Sequence, residues 1–227
     1  MLGTIVNAAA ILAGGALGLL LKKGLPDRLK TAITQGVGLI VLYIGFSGAL
    51  KGQNTLAATL SMVTGGLIGT ALDLDGLLNR FAHRLETVLV KNAAPGNTFG
   101  EGFVSATLLF CVGAMAVVGS LNSGLTGDHE VLFTKSLLDG VTSIVFASAL
   151  GPGVLLSALP VFLYQGAITL LAQVLAPVLS TAVVAEMTCV GSLLIVVIGT
   201  NMLKITDIKV MNFLPAIFLP ILFCMVV

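Results

Sequence analysis

The sequence predicts an all-α polytopic membrane protein, a helical bundle of about eight transmembrane spans. Of its 227 residues, 57% are apolar and 9% are charged, whereas soluble domains carry about 25% charged residues. The mean hydropathy is +1.10. Because a transmembrane helix takes roughly 20 residues, the chain has room for about eight spans, with seven as the alternative. We expect residues 1–227 to form a single integral membrane domain, with the lipid bilayer as its main partner.

Apolar runs bounded by charged or turn residues define the spans. Positive charge follows the first run instead of preceding it, which is the reverse of a cleavable signal peptide. The first run is therefore expected to remain as a span with its N-terminus outside. The predicted spans are 3–21, 34–50, 55–72, 102–121, 131–150, 154–176, 184–203 and 210–227.

Basic residues orient these spans, because cytoplasmic loops hold an excess of Lys and Arg. With the N-terminus outside, only Lys51 and Lys135 of the eleven basic residues fall on the outer side. Eight spans then leave both termini outside. The net charge of +1 argues against a nucleic-acid partner. The nine residues expected on the cytoplasmic side are Lys22, Lys23, Arg28, Lys30, Arg80, Arg84, Lys91, Lys204 and Lys209.

A cytoplasmic amphipathic loop is predicted over residues 76–101. Its apolar residues, from Leu77 to Leu89, share one helical face, and polar residues such as Arg80 and His83 share the other. The pattern is typical of a helix that lies in the membrane interface. A solvated connector that packs on the bundle is the alternative.

A recurring Val-Gly element suggests internal repeats. It appears at Gly36-Val37-Gly38, Cys111-Val112-Gly113 and Cys189-Val190-Gly191. On this basis, spans one to three (residues 1–75) resemble spans six to eight (154–227), and a central hairpin of spans four and five (102–151) lies between them. Span one runs inward and span six runs outward, so the three-helix repeats are inverted. Inverted repeats are common in secondary transporters.

Glycines within the spans predict close helix packing. Small residues one turn apart, as in Gly14-Gly15-x-x-Gly18 and Gly65-Gly66-x-x-Gly69, let backbones approach closely. Such faces also offer contacts for a homo-oligomer.

The segment 151–153, Gly-Pro-Gly, interrupts a long charge-free run, as either a tight turn or a half-helix break that faces a ligand.

Two carboxylates remain within the spans, and charge at membrane depth marks a candidate functional site. Asp139 shares a helical face with Ser136 and Ser143, and Thr142 lies beside them. We expect this group to bind a monovalent cation, a proton or the amine of a small solute. An ion pair with Lys135, one turn earlier, is the alternative role for Asp139. Glu186, near the outer end of span seven, is a weaker candidate because its side chain can reach the headgroup region.

Asn122 and Asn201 occupy corresponding positions near the ends of spans four and seven, so both are candidates for a polar cavity lining. Hydrogen bonds between helices are the alternative.

The sequence has no Gly-x-x-x-x-Gly-Lys-Ser/Thr, Gly-x-Ser-x-Gly, His-Glu-x-x-His or Cys-x-x-Cys motif. We therefore expect neither enzymatic activity nor a cofactor. We expect no metal site either, because the three cysteines lie apart from each other and from histidine.

Several segments together resemble the YqgA/YdfK-type family of bacterial inner-membrane proteins. They are the opening seven residues Met-Leu-Gly-Thr-Ile-Val-Asn, the Gly14-Gly15 span followed by Pro-Asp-Arg-Leu at 26–29, and the Gly-Val-Thr-Ser at 140–143 with the Gly-Pro-Gly. The resemblance covers essentially the whole chain. It implies a multi-pass protein of the bacterial inner membrane, and it implies neither a substrate nor site residues.

The leading functional hypothesis is a small secondary transporter of a small solute or ion, with its site at the midplane between the inverted repeats. A channel built from the same repeats is the first alternative. A non-transporting assembly or sensor component is the second.

Overall fold

A computed structural model describes residues 1–22, 27–77, 80 and 99–224 of the chain. These residues form helices joined by short connections, with no β-strand among them. The α-helices, in order, are α1 (Leu2–Lys22), α2 (Asp27–Ala49), α3 (Thr55–Ala71), α4 (Phe99–Cys111), α5 (Ala114–Leu125), α6 (Glu130–Leu150), α7 (Gly153–Leu156), α8 (Ala158–Leu170), α9 (Ala172–Leu175), α10 (Thr181–Met202) and α11 (Pro220–Phe223). A 3-10 helix, Val210–Ile217, precedes α11.

Among the described residues, five helical segments are long and apolar enough to cross a membrane, and the bent pair α4 and α5 would make a sixth. The predicted all-α membrane class is therefore confirmed. Helix α3 and the segment Val210–Phe223 are apolar but shorter, so the number of crossings remains a prediction. The five segments are α1, Thr31–Ala49, α6, Gly153–Leu170 and α10.

The span predicted over residues 102–121 is not a single uninterrupted helix. Helix α4 ends at Cys111, α5 begins at Ala114, and the two helices are bent by 59°. Gly113 carries the break with a φ of 128°, a conformation that side chains with a Cβ rarely adopt. The same Val-Gly element continues as α-helix at Gly38 in α2 and at Gly191 in α10, so only the central copy breaks.

The last predicted span, 210–227, is not one α-helix over its described part. Its first eight residues form the 3-10 helix, and a single α-helical turn follows at Pro220–Phe223. Pro215 and Pro220 have no backbone N–H, which interrupts the α-helical ladder of hydrogen bonds. The backbone bonds instead span three residues, as from the Phe218 N–H to the Pro215 carbonyl at 3.1 Å.

The Gly-Pro-Gly at residues 151–153 is a tight turn between α6 and α7. Gly151 has a φ of 88°, and its N–H donates to the Ala147 carbonyl at 3.0 Å. A Cβ on Gly153 would collide with the Phe99 carbonyl of α4. The turn is therefore packed against protein, whereas the break with the 59° bend lies at Gly113.

Glycines allow three close helix contacts, as predicted. Helix α1 packs along α6, where a Cβ on Gly14 would meet the Gly140 carbonyl. Helix α2 packs along α10, and α3 packs on the 3-10 helix, where Gly65 faces Ala216. The glycine faces of α1 and α3 are thus used inside the molecule, so a homo-oligomer would have to form through other faces.

The contacts of α2 with α10 and of α3 with the 3-10 helix join spans that correspond in the predicted repeats. The inverted repeats and their boundaries remain predictions.

The amphipathic loop predicted at 76–101 falls almost entirely outside the described residues, and so does His83. Helices α4 and α10 contribute buried residues to the core, among them Phe99, Phe110 and Leu194.

Candidate functional site

A buried ion pair lies near the middle of α6. Lys135 Nζ is 2.5 Å from Asp139 Oδ2, and both side chains are less than a tenth exposed. Asn7 of α1 also donates to Asp139 Oδ2, from Nδ2 at 3.0 Å. The role of Asp139 in this structure is therefore the pairing with Lys135 that the sequence left open as the alternative.

The local sequence explains why these three side chains meet. Residues four apart lie on one face of a helix, which places Lys135 beside Asp139. The glycines of α1 bring its backbone close to α6, and Asn7 lies on the same buried face of α1 as Gly14. The i, i+4 spacing of Lys135 was visible in the sequence, whereas the contact with Asn7 depends on how two distant helices pack.

The ion pair lines a cavity of about 420 Å³ between α2, α6 and α10. The bend between α4 and α5 forms another part of the wall, through residues 109–110 and 112–116. We call this space the bend cavity. Its polar lining residues are Tyr43, Ser47, Lys51, Lys135, Asp139, Thr142, Thr188 and Ser192.

The first residues of α5 line the bend cavity. The first N–H groups of a helix have no partner within the helix and carry partial positive charge. A side-chain cap often satisfies one of them, but the N-cap residue here is Gly113, which makes no such bond. The break therefore brings the positive end of a helix to the same cavity as the ion pair.

Two further polar groups of the bend cavity have no partner in the part of the chain that the structure describes. The Ser192 hydroxyl makes no hydrogen bond there, although the residue is only 3% exposed. Lys51, at the end of α2, is in no ion pair among those residues. The Asp139 charge is balanced by Lys135, so Lys51 leaves the lining with an excess of positive charge. Sequence reasoning missed Lys51 and Ser192 as lining residues, because their position depends on the packing of α2 against α10.

The hydroxyl residues predicted around Asp139 separate into two groups. Thr142 lines the bend cavity and donates to the Leu138 carbonyl at 2.7 Å. Ser136 donates to the Leu132 carbonyl at 2.6 Å and is buried outside the cavity lining. Ser143 is fully buried and packs near Gly14 of α1, and its hydroxyl has no hydrogen-bond partner within the described ranges. Only Thr142 therefore accompanies Asp139 in the cavity.

Asn122 and Asn201 do not line the bend cavity. Asn201 binds the loop after α10, where Nδ2 donates to the Ile208 carbonyl at 2.8 Å and Oδ1 accepts from the Thr206 hydroxyl at 2.6 Å. Asn122 contributes its backbone carbonyl, which accepts the N–H and the hydroxyl of Thr126. The Asn201 contacts hold a loop in place, and the structure does not bring the two amides together with Asp139.

Glu186 is more enclosed than its position near a span end suggests, with 2% of its surface exposed. Its Oε1 accepts the backbone N–H groups of Gln53 at 2.5 Å and Asn54 at 2.8 Å, just before α3. Its Oε2 is buried and has no hydrogen-bond partner in the described part of the chain. The residue lines a second cavity, of about 370 Å³.

Comparison with known proteins places the chain in a family. The DUF554 family, described as "Protein of unknown function", matches residues 2–225. The "Uncharacterized membrane protein YdfK" of Bacillus subtilis (strain 168) is 33% identical over 224 residues, which cover 97% of this chain and 94% of YdfK. The "Uncharacterized protein YqgA" of Escherichia coli (strain K12) is 31% identical over 221 residues, covering 96% and 94%. No solved structure matches the chain.

The family match and the two relatives extend over nearly the whole sequence. They agree with the resemblance that the N-terminal and central segments carry. The apolar helices and the name of YdfK both indicate a membrane protein. The chain therefore belongs to the DUF554 family and is a membrane protein.

Proposed function

We propose that this protein is a small secondary transporter of the bacterial inner membrane, with its solute site in the bend cavity. One observation carries the proposal: a broken apolar helix opens onto a cavity that is lined in part by a buried ion pair. Ionisable residues at membrane depth are costly, and they commonly mark the path of a substrate or ion. Transporter sites are typically formed where discontinuous helices meet such groups.

The charges of the bend cavity favour a solute with a negative group. Asp139 is already neutralised by Lys135 and holds a hydrogen bond from Asn7, so it is poorly placed to attract a further cation. Lys51, the first turn of α5 and the Ser192 hydroxyl are each able to contact an anion. The volume of about 420 Å³ is within the usual range for small-molecule sites. A small organic or inorganic anion fits these properties.

The predicted inverted repeats provide the transport mechanism under this proposal. Spans two and seven flank the bend cavity through α2 and α10, and the two helices pack against each other through glycines. Related halves that meet at a site can exchange inward-facing and outward-facing arrangements. The helix pair α2 and α10 is then the contact that must rearrange.

Flux into proteoliposomes tests the proposal. The purified protein is assayed with labelled monocarboxylates, dicarboxylates, phosphate and chloride, with and without a proton or sodium gradient. We expect saturable uptake of at least one anion. Lys51→Gln should raise its KM about tenfold, because a charged hydrogen bond contributes about 1.5–3 kcal/mol. Ser192→Ala should raise KM several-fold, since a neutral hydrogen bond is worth about 1 kcal/mol.

Lys209→Gln serves as the matched control, since Lys209 is exposed and lies outside the bend cavity. Its KM should equal that of the wild type. The transporter proposal is wrong if no anion shows saturable uptake, and the site is wrong if Lys51→Gln transports like Lys209→Gln. Single-channel currents in planar bilayers would instead identify a channel, because a carrier gives none.

A further inference from the structure

Glu186 has an unusual electrostatic environment for a buried carboxylate. Its Oε1 accepts two backbone N–H groups that precede α3, from Gln53 and Asn54. Its Oε2 has no hydrogen-bond partner among the described residues, although only 2% of Glu186 is exposed. Within the described residues, no Lys, Arg or His forms an ion pair with it. The two N–H groups at the positive end of α3 compensate Oε1, whereas Oε2 lacks such compensation, and a bound cation would supply it.

The cavity at Glu186 has three oxygen-bearing side chains in an otherwise largely apolar lining. Hydroxyl residues Thr55 and Thr59 of α3 line it together with Glu186, and the backbone of Gly52 closes one side. Oxygen is the ligand atom that hard cations prefer. The volume of about 370 Å³ leaves space for an ion with some of its water.

The charge count favours a monovalent ion. Glu186 contributes one negative charge, whereas protein sites for calcium usually combine several carboxylates. No group of three or more His, Cys, Asp or Glu residues that could hold a metal lies within the described part of the chain. We propose that the cavity at Glu186 binds Na⁺ through Oε2 of its carboxylate. This site is separate from the bend cavity and adds an ion to the proposed function.

The two cavities lie on either side of the C-terminal end of α2. Gly48 and Lys51 line the bend cavity, while Ala49 and Gly52 line the cavity at Glu186. Helix α10 also contributes to both, with Ser192 on one side and Glu186 on the other. An ion that holds Glu186 against the start of α3 would therefore act on the same segment that borders the solute site.

Equilibrium binding of ²²Na⁺ to the purified full-length protein in detergent tests the site without requiring transport. Glu130→Gln is the matched control, since Glu130 is an exposed glutamate at the start of α6. We expect the wild type and Glu130→Gln to bind about one Na⁺ per chain saturably, and Glu186→Gln to bind it at least tenfold more weakly. In addition, NaCl should raise the Tm of the first two proteins above its value in choline chloride at equal ionic strength.

Thr55→Val provides a second variant in case Glu186→Gln does not fold, as judged by its size-exclusion profile. Thr55 is an exposed residue that lines the cavity, and loss of its hydroxyl should weaken Na⁺ binding several-fold. The proposal is overturned if the wild type binds no ²²Na⁺, or if a folded Glu186→Gln protein binds it like the wild type. Either result leaves the anion site in the bend cavity unaffected.

Discussion

At the residue scale, the buried polar groups of α6 have different roles although they lie within two turns of one another. Asp139 and Lys135 neutralise each other at the edge of the bend cavity. The Ser136 hydroxyl donates a hydrogen bond to the backbone of its own helix. Loss of either residue would leave the charge of the other buried without a partner.

Removal of one member of this ion pair should destabilise the protein strongly. Lys135→Met leaves the Asp139 carboxylate uncompensated, and Asp139→Asn leaves the Lys135 ammonium uncompensated. Each variant should lower the free energy of unfolding by about 3–5 kcal/mol. The measurement is denaturant unfolding in detergent micelles.

The double variant Lys135→Met/Asp139→Asn removes both charges and should recover most of that stability. Glu130→Gln, an exposed change on the same helix, should stay within about 0.5 kcal/mol of the wild type. Single variants as stable as Glu130→Gln would show that the ion pair is not buried as described.

At the element scale, glycine determines which helices approach closely and where one of them breaks. A Cβ at Gly38 would contact Leu203, and one at Gly191 would contact Val112, so both glycines serve packing within continuous helices. Gly113 has nothing within 4 Å of that position and instead adopts a positive φ. The same dipeptide therefore has two different structural roles, according to its neighbours.

Gly14→Ala should weaken the contact between α1 and α6. The added Cβ would collide with the Gly140 carbonyl, which is backbone and cannot rotate away. Overpacking of this kind costs about 1–3 kcal/mol, and the loss should appear as a lower Tm in thermal unfolding.

Gly36→Ala in α2 is the control, because nothing lies within 4 Å of its Cβ position. It should be neutral or more stable by about 0.5–1 kcal/mol, since alanine favours helix more than glycine does. Equal Tm values for Gly14→Ala and Gly36→Ala would contradict the described packing of α1 on α6.

At the scale of the whole molecule, the distribution of basic residues predicts a topology. Eight crossings place both termini outside and nine of the eleven basic residues in the cytoplasm. The described part of the chain contains eight apolar segments, of which five, or six with the bent pair, are long enough to cross by themselves. The crossings by α3 and by Val210–Phe223 are therefore the ones to test.

Reporter fusions along the chain measure this topology. Alkaline phosphatase, which is active only outside the cytoplasm, should be active after Gly52, after Gly127 and at the C-terminus. It should be inactive after Arg28 and after Asp207, and green fluorescent protein at these positions should fluoresce. An inactive C-terminal phosphatase together with inactivity after Asp207 would show that the final segment does not cross.

Much of the helical framework was predictable from composition and spacing. The described ends of α1, α3 and α6 lie within one residue of the predicted spans 3–21, 55–72 and 131–150, because long apolar runs with polar ends have few alternatives in a membrane. The bend at Gly113 and the 3-10 helix were not foreseen. A break within an apolar run leaves no change in hydropathy, and its stability depends on what fills the space around it.

The candidate site, like the fold, could be predicted from the sequence only in part. Asp139 and Glu186 could be selected from the sequence alone, since a charge at membrane depth must be compensated wherever the helices lie. Their environments could not be predicted, because Asn7, Lys51 and Ser192 reach the ion pair or the bend cavity from helices distant in sequence. The sequence by itself determined the membrane class and the two carboxylates, through the energetic cost of polar groups in lipid. The tertiary structure alone decided which carboxylate is neutralised and which keeps an unpaired oxygen, since that depends on contacts between helices.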